Sequence, residues 1–477
     1  MVTAEMTVAT LVEGTPVVPM TLVGDGSTTV TGIALDSRVV APRDLYCCIR
    51  GEQVDGHRYA PEAVAAGASA LLVDHRLDLP LTHAPVPQLI VPDTRLAIGP
   101  VAATLWRHPS RRMTLVGVTG TNGKTTTTHL LAAILERAGW PTGVLGTLTG
   151  SFTTPEAPEL QQRLSTMADE GKRAVAMEVS SHALAMHRVD GTRFAVAVFT
   201  NLGRDHLDFH GTIERYFAAK AALFSPALSD LGVVDIDDVH GRQLIDAAGI
   251  PTIPYSLADA EDLWVEPTSC RFLWHGRPVA LRLGGRFNAA NAVGAATAAG
   301  ALGIDDDTIA AGLSAAPPVP GRMEAVEAGQ TFRVVVDFAH TPDALAGLLT
   351  ELRAVSSGRL IVVFGCGGDR DAEKRPLMGR VAAEGADLVV ITSDNPRNED
   401  PEAIIAAVAT GVPTPRRAML VTEMDRRQAI AIGLAAAEPG DLVVIAGKGH
   451  ETTQTVAGES RPFDDRVVAR ELLEAGR

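Results

Sequence analysis

Short apolar runs rich in β-branched residues alternate with Ala- and Leu-rich stretches of helical spacing along nearly the whole chain. That alternation predicts parallel sheets covered by helices, an α/β fold. Three blocks emerge. In the first, Ala70 to Asp74 and Gln88 to Val91 read as strands, with a helix starting over Pro61 to Ala66 between turn-rich segments. The second opens on a strand at Thr114 to Val118 followed by an amphipathic helix, and continues with strands at Ala174 to Glu178, Phe194 to Thr200 and Gly232 to Asp235. Its sheet is expected to be buried on both faces. Pro317, Pro318, Pro320 and Gly321 break the pattern and mark a linker. Beyond them lie strands at Phe332 to Val336, Arg359 to Phe364, Asp387 to Ile391, Ala418 to Val421 and Asp441 to Ala446, with a helix at Pro401 to Thr410. At 477 residues the chain exceeds what one core usually supports. Three domains are expected, over residues 1–110, 111–321 and 322–477.

Composition narrows the function classes. A net charge of −15 argues against a general nucleic-acid or anionic-membrane surface, so a site for anionic substrates must concentrate Lys, Arg and helix N-termini locally. Cys47, Cys48, Cys270 and Cys366 make no CxxC pair and no Cys/His metal spacing, and are expected to be reduced and buried. The N-terminal stretch carries Glu5 and lacks a basic segment leading into an apolar core, and no apolar run reaches membrane-spanning length. A cytoplasmic protein without membrane insertion is the expectation.

The strongest chemical signal runs from Gly117 to Thr126, where a strand passes through Gly120-Thr121-Asn122-Gly123-Lys124-Thr125-Thr126 into a helix. Small residues let backbone N–H groups turn toward a polyphosphate, and the helix N-terminus adds positive potential. Lys124 can reach terminal phosphates, and Thr125 can hold Mg²⁺. The spacing departs from GxxxxGK[ST], since Val118 stands at the place of the first glycine. Two further strands run into Glu178-Val179-Ser180-Ser181-His182 and Asn201-Leu202-Gly203-Arg204-Asp205-His206. Strand ends form the ligand edge of an open α/β sheet. Glu178 and His206 there could complete Mg²⁺ sites beside the phosphates, because Mg²⁺ needs few protein ligands and keeps water. Taken alone, His206 reads as a hydrogen-bonded loop histidine, Lys220 as a helical surface lysine, Asp36-Ser37-Arg38 as a polar turn, and Asn395-Pro396-Arg397 as a surface loop before a helix.

The segments GTNGKTT, EVSSHAL, NLGRDHLDFHG, FNAANA, PGRME, VDFAHTPDAL, FGCGGDRD, SDNPR and AGKGHE occur in that order over almost the whole chain. Together they resemble the Mur ligases of peptidoglycan synthesis, and within them the branch that adds the third stem-peptide residue. The resemblance implies an N-terminal UDP-substrate domain, a central ATPase domain and a C-terminal Rossmann-like domain. It implies an ATP- and Mg²⁺-dependent ligase that makes an amide through an acyl phosphate. The substrates implied are UDP-N-acetylmuramoyl-L-Ala-D-Glu and meso-diaminopimelate, with no nucleic acid, and the protein would be a monomer.

By carry-over, Asn291, Arg322 and Asp337 join the phosphate loop in binding ATP, and Lys220 is carbamylated and supports a second Mg²⁺ beside Thr125, Glu178 and His206. Leu35, Ser37, Glu52, Gln53 and Val54 would surround the uridine diphosphate, with Thr153, Thr154, Ser180 and Arg188 at the sugar-peptide end. Relatives often carry glutamine where this chain has Met186, and a thioether cannot replace the amide's hydrogen bonds. Asp394-Asn395-Pro396-Arg397 matches the diaminopimelate signature, and Arg370, Gly447 and Glu451 match further contacts. Arg397 suits the distal carboxylate that lysine lacks, and Glu451 the distal ammonium. Two other readings stay open: a Mur-type ligase for another amino acid or acceptor, lysine-adding or folylpolyglutamate synthetase-like, and a non-catalytic nucleotide-binding regulator.

Overall fold

The computed structural model describes residues 4–51, 54–79, 85–414 and 418–475. Its first sheet contains β1 (Thr21–Val23), β2 (Gly32–Ala34), β3 (Asp44–Cys47), β4 (Ala70–Val73) and β5 (Gln88–Ile90), in the order β1-β5-β4-β3-β2. All neighbours are parallel except β1, which runs antiparallel to β5. Every residue of β3 and β4 is buried, so these runs read as continuous apolar strands rather than alternating ones.

The middle sheet is entirely parallel: β6 (Thr114–Thr119), β7 (Thr142–Leu145), β8 (Ala174–Glu178), β9 (Phe194–Phe199), β10 (Ser229–Asp235) and β11 (Thr252–Tyr255), ordered β11-β10-β9-β6-β8-β7. Both faces are buried, as expected. Leu130, Leu131, Ile134 and Val293 join the cluster on one face, and Leu160, Leu164, Tyr216 and Phe224 that on the other. The helix after the phosphate loop, α1 (Lys124–Arg137), departs from the amphipathic expectation. Its threonines 125 to 128 are buried along with Leu130, Leu131, Ile134 and Leu135, because α2 (Arg286–Ala301) and α3 (Asp306–Ala315) pack over what would otherwise be a solvent face. An antiparallel sheet that the sequence pattern did not announce, β12 (Glu261–Val265), β13 (Cys270–Trp274) and β14 (Arg277–Leu281), adds Phe272, Trp274 and Val279 to that core.

The last sheet holds β15 (Glu324–Ala325), β16 (Arg333–Asp337), β17 (Leu360–Cys366), β18 (Leu388–Ser393), β19 (Met419–Thr422) and β20 (Leu442–Ala446), ordered β15-β16-β20-β17-β18-β19 and parallel apart from β15. Around it lie α4 (Pro342–Val355), α5 (Arg426–Ala435), the hairpin of β21 (Thr453–Val456) with β22 (Glu459–Pro462), and α6 (Asp465–Ala475). All four cysteines are buried and free, and burial pushes the thiols of Cys48, Cys270 and Cys366 up to about 12. Among the described residues, no helix is long and apolar enough to cross a membrane.

Candidate active site

In the middle sheet β6 lies between β8 and β9 while β7 lies beyond β8, so the chain leaves β6 at the point where strand order reverses. Such a switch point opens a crevice at the strand ends. The phosphate loop fills it. Gly120 has φ +154°, and a Cβ there would lie 1.9 Å from Thr200 Oγ1; Gly123 has φ +86°, and its Cβ would lie 2.2 Å from Asn291 Oδ1. Only glycine fits either place. The loop is tied to the segment after β9: Thr121 N–H donates to the Asn201 carbonyl (2.9 Å), Asn122 N–H to Asn201 Oδ1 (2.9 Å), and Gly203 N–H to Thr121 Oγ1 (2.9 Å). Thr126 is buried in the first turn of α1. Asn291, on α2, receives the Thr127 hydroxyl (3.4 Å) and donates to Asn288 Oδ1 (3.2 Å).

Charged groups converge on this loop. Lys124 Nζ donates to the Gly120 and Thr121 carbonyls, each at 2.9 Å, and burial lowers its pKa against the opposing pull of Glu178 and Asp205. Lys220 is 1% exposed, donates to the Gly120 carbonyl at 2.7 Å and lies 4.4 Å from the Tyr216 ring. Burial, reinforced by Lys124, drives its pKa well below that of an ordinary lysine. Glu178, equally buried, accepts from Thr125 Oγ1 (3.0 Å), Thr147 N–H (2.8 Å) and Thr147 Oγ1 (3.2 Å). Arg322 reaches across from the last block: its Nη2 donates to Thr125 Oγ1 at 3.1 Å, and its guanidinium lies 4.5 Å from the Phe338 ring. Asp337, at the end of β16, accepts from Met323 and Ala339 N–H at 2.8 Å each, and burial raises its pKa against Arg322. His206 has φ +53° and sits beside Asp205, with Nε2 3.4 Å from Asp205 Oδ2 and its ring edge-on to His182 at 4.6 Å. Burial lowers its pKa to about 4, so the imidazole is neutral. Thus Thr125, Glu178 and Arg322 form one connected group, Lys124 and Lys220 both donate to the carbonyls of the phosphate loop, and His206 makes no direct hydrogen bond to Thr125 or Glu178.

A second group lies beside Glu178. Thr154 Oγ1 donates to the Glu178 carbonyl (3.0 Å) and accepts from Ser180 N–H (3.0 Å), and Thr153 Oγ1 pairs with Thr147 Oγ1 (3.0 Å). Arg188 donates to the Thr154 carbonyl (3.2 Å), pairs with Glu156 (2.9 Å) and places Nη2 3.6 Å from Met186 Sδ, while its buried Nε has no hydrogen-bond partner among the described residues. Leu35, Ser37 and Val54 belong to the first sheet's surroundings: Leu35 follows β2, Ser37 opens a one-turn helix capped by Asp36, and Val54 is exposed. Glu52 and Gln53 lie outside the described residues.

In the last sheet β16 and β20 are neighbours with Asp337 opposite Ala446, so the end of β20 meets the nucleotide group. Gly447 N–H donates to the Asp337 carbonyl at 3.1 Å; its φ is +110°, and a Cβ would stand 2.6 Å from Asp394 Oδ2. Asp394, Asn395 and Pro396 are buried at the end of β18. The Asn395 amide is fully engaged: Nδ2 donates to Glu451 Oε2 (2.7 Å) and Asp394 Oδ1 (3.1 Å), and Oδ1 accepts from Thr455 N–H (3.0 Å) and Lys448 Nζ (3.3 Å). Arg397, at φ +53°, donates one N–H to the Gly368 carbonyl (2.7 Å), and exposed Arg370 donates to the Asp369 carbonyl (3.1 Å).

The Mur ligase middle domain matches residues 118–299, the Mur ligase glutamate ligase domain residues 321–449, and the Mur ligase family catalytic domain residues 29–105. The UDP-N-acetylmuramoyl-L-alanyl-D-glutamate--2,6-diaminopimelate ligase of Streptomyces coelicolor is 45% identical, with 94% of each chain covered. The chain belongs to the Mur ligase family. The enzyme of the same name from Gloeobacter violaceus is 46% identical, again over 94% of each chain. A solved structure of a UDP-N-acetylmuramoyl-L-alanyl-D-glutamate--2,6-diaminopimelate ligase superposes with a TM-score of 0.65 at 34% identity, covering 95% of this chain and 96% of that one. A MurF structure from Acinetobacter baumannii, at 22% identity and a TM-score of 0.67, covers 100% and 99% and shares the fold.

Several residues of this Mur ligase that matter locally carry no motif signal: Thr147, Tyr216 and Phe338 lie between the recognised segments or inside them without a polar role. Thr147 could have been found as the strand-end residue after β7. The oxygen donors of Glu178 and Thr125 suit Mg²⁺. Among the described residues, the one group of three His, Cys, Asp or Glu ligand atoms within 4.8 Å of one another is elsewhere, at His57, Asp74 and His75. There the groups already serve each other: Arg50 Nε donates to Asp74 (2.5 Å), and His57 pairs with Asp55 (2.6 Å) and receives Asp74 N–H (3.2 Å).

Proposed function

We propose that the protein is an ATP-dependent ligase joining meso-diaminopimelate to UDP-N-acetylmuramoyl-L-Ala-D-Glu, in line with the names of the Streptomyces coelicolor and Gloeobacter violaceus relatives. The observation that carries this reading is the convergence, at one crevice, of the phosphate loop, Glu178 and the last block's Arg322, with the Gly447 loop one hydrogen bond from Asp337. The substrate carboxylate forms a bond to the γ-phosphorus as the bond to the β-phosphate oxygen breaks. The amine nitrogen then bonds the acyl carbon, phosphate leaves, and the nitrogen loses a proton.

Lys124 needs only to leave two loop carbonyls to place its charge on the phosphates, where it matters most as charge shifts. Thr125 and Glu178 would hold Mg²⁺, with His206 and carbamylated Lys220 nearby; when bound, the ion neutralises phosphate charge. Burial, which lowers the Lys220 pKa, favours the neutral amine, the form that takes up CO₂. Arg322 neutralises charge from the opposite side and, with the last block, covers the crevice against water. Thr153, Thr154, Ser180 and Arg188 would orient the sugar-peptide end, Leu35, Ser37 and Val54 the uridine end, and Arg370, Asp394 to Arg397, Gly447 and Glu451 the amino acid. The units 1–110, 111–321 and 322–477 would act as substrate, nucleotide and amino-acid domains of a cytoplasmic monomer. Phosphate release measured with the UDP-dipeptide should be rapid with diaminopimelate and slow with lysine and ornithine. Equal rates with lysine, or no release with any, would remove this reading.

A further inference from the structure

We propose that Lys448 is a positioning residue that fixes which oxygen of Glu451 faces the amino acid, and thereby sets discrimination for the ligand's distal ammonium group. This rests on the reading of Glu451 as a diaminopimelate contact. Lys448 is 0% exposed and belongs to the loop that follows β20. Its ammonium spends three donors in place: on the Thr453 carbonyl (2.6 Å), Glu451 Oε2 (3.0 Å) and Asn395 Oδ1 (3.3 Å).

The consequence falls on Glu451. Its Oε2 accepts from both Lys448 and Asn395, whereas its Oε1 accepts no hydrogen bond among the described residues and the side chain is 35% exposed. One oxygen is pinned and the other is presented. A carboxylate held by a single donor would turn about its terminal torsion, which is broad for glutamate. With two donors on one oxygen, the other oxygen keeps one direction on a side chain that is still partly exposed. Lys448 also binds Thr453 at the start of β21, so the hairpin, the Asn395 loop and Glu451 share one cation. A buried cation with every donor committed to neighbours of a contact residue acts through them rather than on the ligand.

The test uses the full-length protein and a ligand pair, meso-diaminopimelate and 2-aminopimelate, which lacks the distal ammonium. The native enzyme should prefer diaminopimelate. Lys448→Met should reduce the ratio of kcat/KM values by about tenfold or more, through KM for diaminopimelate, as expected for loss of a charge-assisted contact. KM for ATP and for the UDP-dipeptide should stay within about twofold. Glu451→Gln should reduce the ratio likewise, and the double variant should lose no more than Glu451→Gln alone, because the two act as a unit. A Lys448→Met enzyme that loses melting temperature or kcat but keeps its ligand preference would overturn the proposal while leaving the function intact. A native enzyme indifferent to the distal ammonium, or an unaffected Glu451→Gln, would remove the Glu451 reading and the proposal with it. Should Lys448→Met fail to fold, Lys448→Gln, which keeps a neutral donor, carries the same comparison.

Discussion

The phosphate-loop crevice and the amino-acid loops of the last sheet are both built at strand ends, yet they treat buried charge in opposite ways. Around the phosphate loop, the hydrogen bonds of Lys124 and Lys220 go to backbone carbonyls alone, and Glu178 is held by hydroxyls and one N–H. Beside the last sheet, the buried guanidinium of Arg426 is saturated. Arg426 donates to both oxygens of Asp465 (2.8 and 2.7 Å) and to the carbonyls of Ser393 (3.1 Å) and Ala446 (3.0 Å), the last residues of β18 and β20. One region stores charge for an arriving polyanion; the other spends it to hold two loops in register.

The sharpest way to break the contrast is to remove a saturated charge. Arg426→Met leaves Asp465 buried and unpaired, and the unfolding free energy should fall by about 3–5 kcal/mol in denaturant titrations; a loss below about 1 kcal/mol would show that the pair is not holding the loops. Lys124→Ala should do the reverse. Turnover should drop about a hundredfold or more while the denaturation midpoint barely moves, since its charge is needed only when phosphate charge develops. Parallel losses in both would place Lys124 with the structural cations.

A smaller effect tests the crevice rim. Asp235, at the end of β10, has its pKa raised to about 6, chiefly by burial. The neutral acid is the form the fold prefers, so its stabilisation is complete below the unfolded value and is lost as pH rises through about 6. Asp235→Asn should therefore be more stable than the native chain by about 1–2 kcal/mol at pH 8 and equal to it near pH 3. A pH-independent difference would contradict this. The smallest change is expected at Met186. An amide oxygen in place of the thioether would accept from Arg188, and Met186→Gln should lower KM for the UDP-dipeptide by about two- to threefold at unchanged kcat. An unchanged or raised KM would mean that Arg188 is already oriented by Glu156 and Thr154.

The middle site was legible because glycine spacing, β-branched strands and strand-end polar residues are local signals, and β6, β8, β9 and β10 lie within a few residues of their expected bounds, whereas the short strands β7 and β11 were not anticipated. What escaped depends on distant partners. The antiparallel sheet of β12 to β14 is half exposed and made of short strands with Arg and Glu among them, so it shows no clean apolar run. The buried circumference of α1 is created by helices more than 150 residues further on. Arg426 looks like any charged residue at a helix start, since nothing local says that Asp465 will close over it. Lys448 stood inside a recognised segment, but the acceptor that ties it to another loop, Asn395, lies 53 residues away in sequence.

The linker ends at Gly321, whose φ is +65° and whose absent Cβ leaves room for the His450 backbone nitrogen, 2.1 Å from where that Cβ would lie. The very next residue is Arg322, which touches Thr125. The crossing between the middle and last blocks therefore runs through the reaction centre: a side chain forced onto Gly321 would push on the His450 backbone on one side and shift Arg322 beside the phosphate loop on the other.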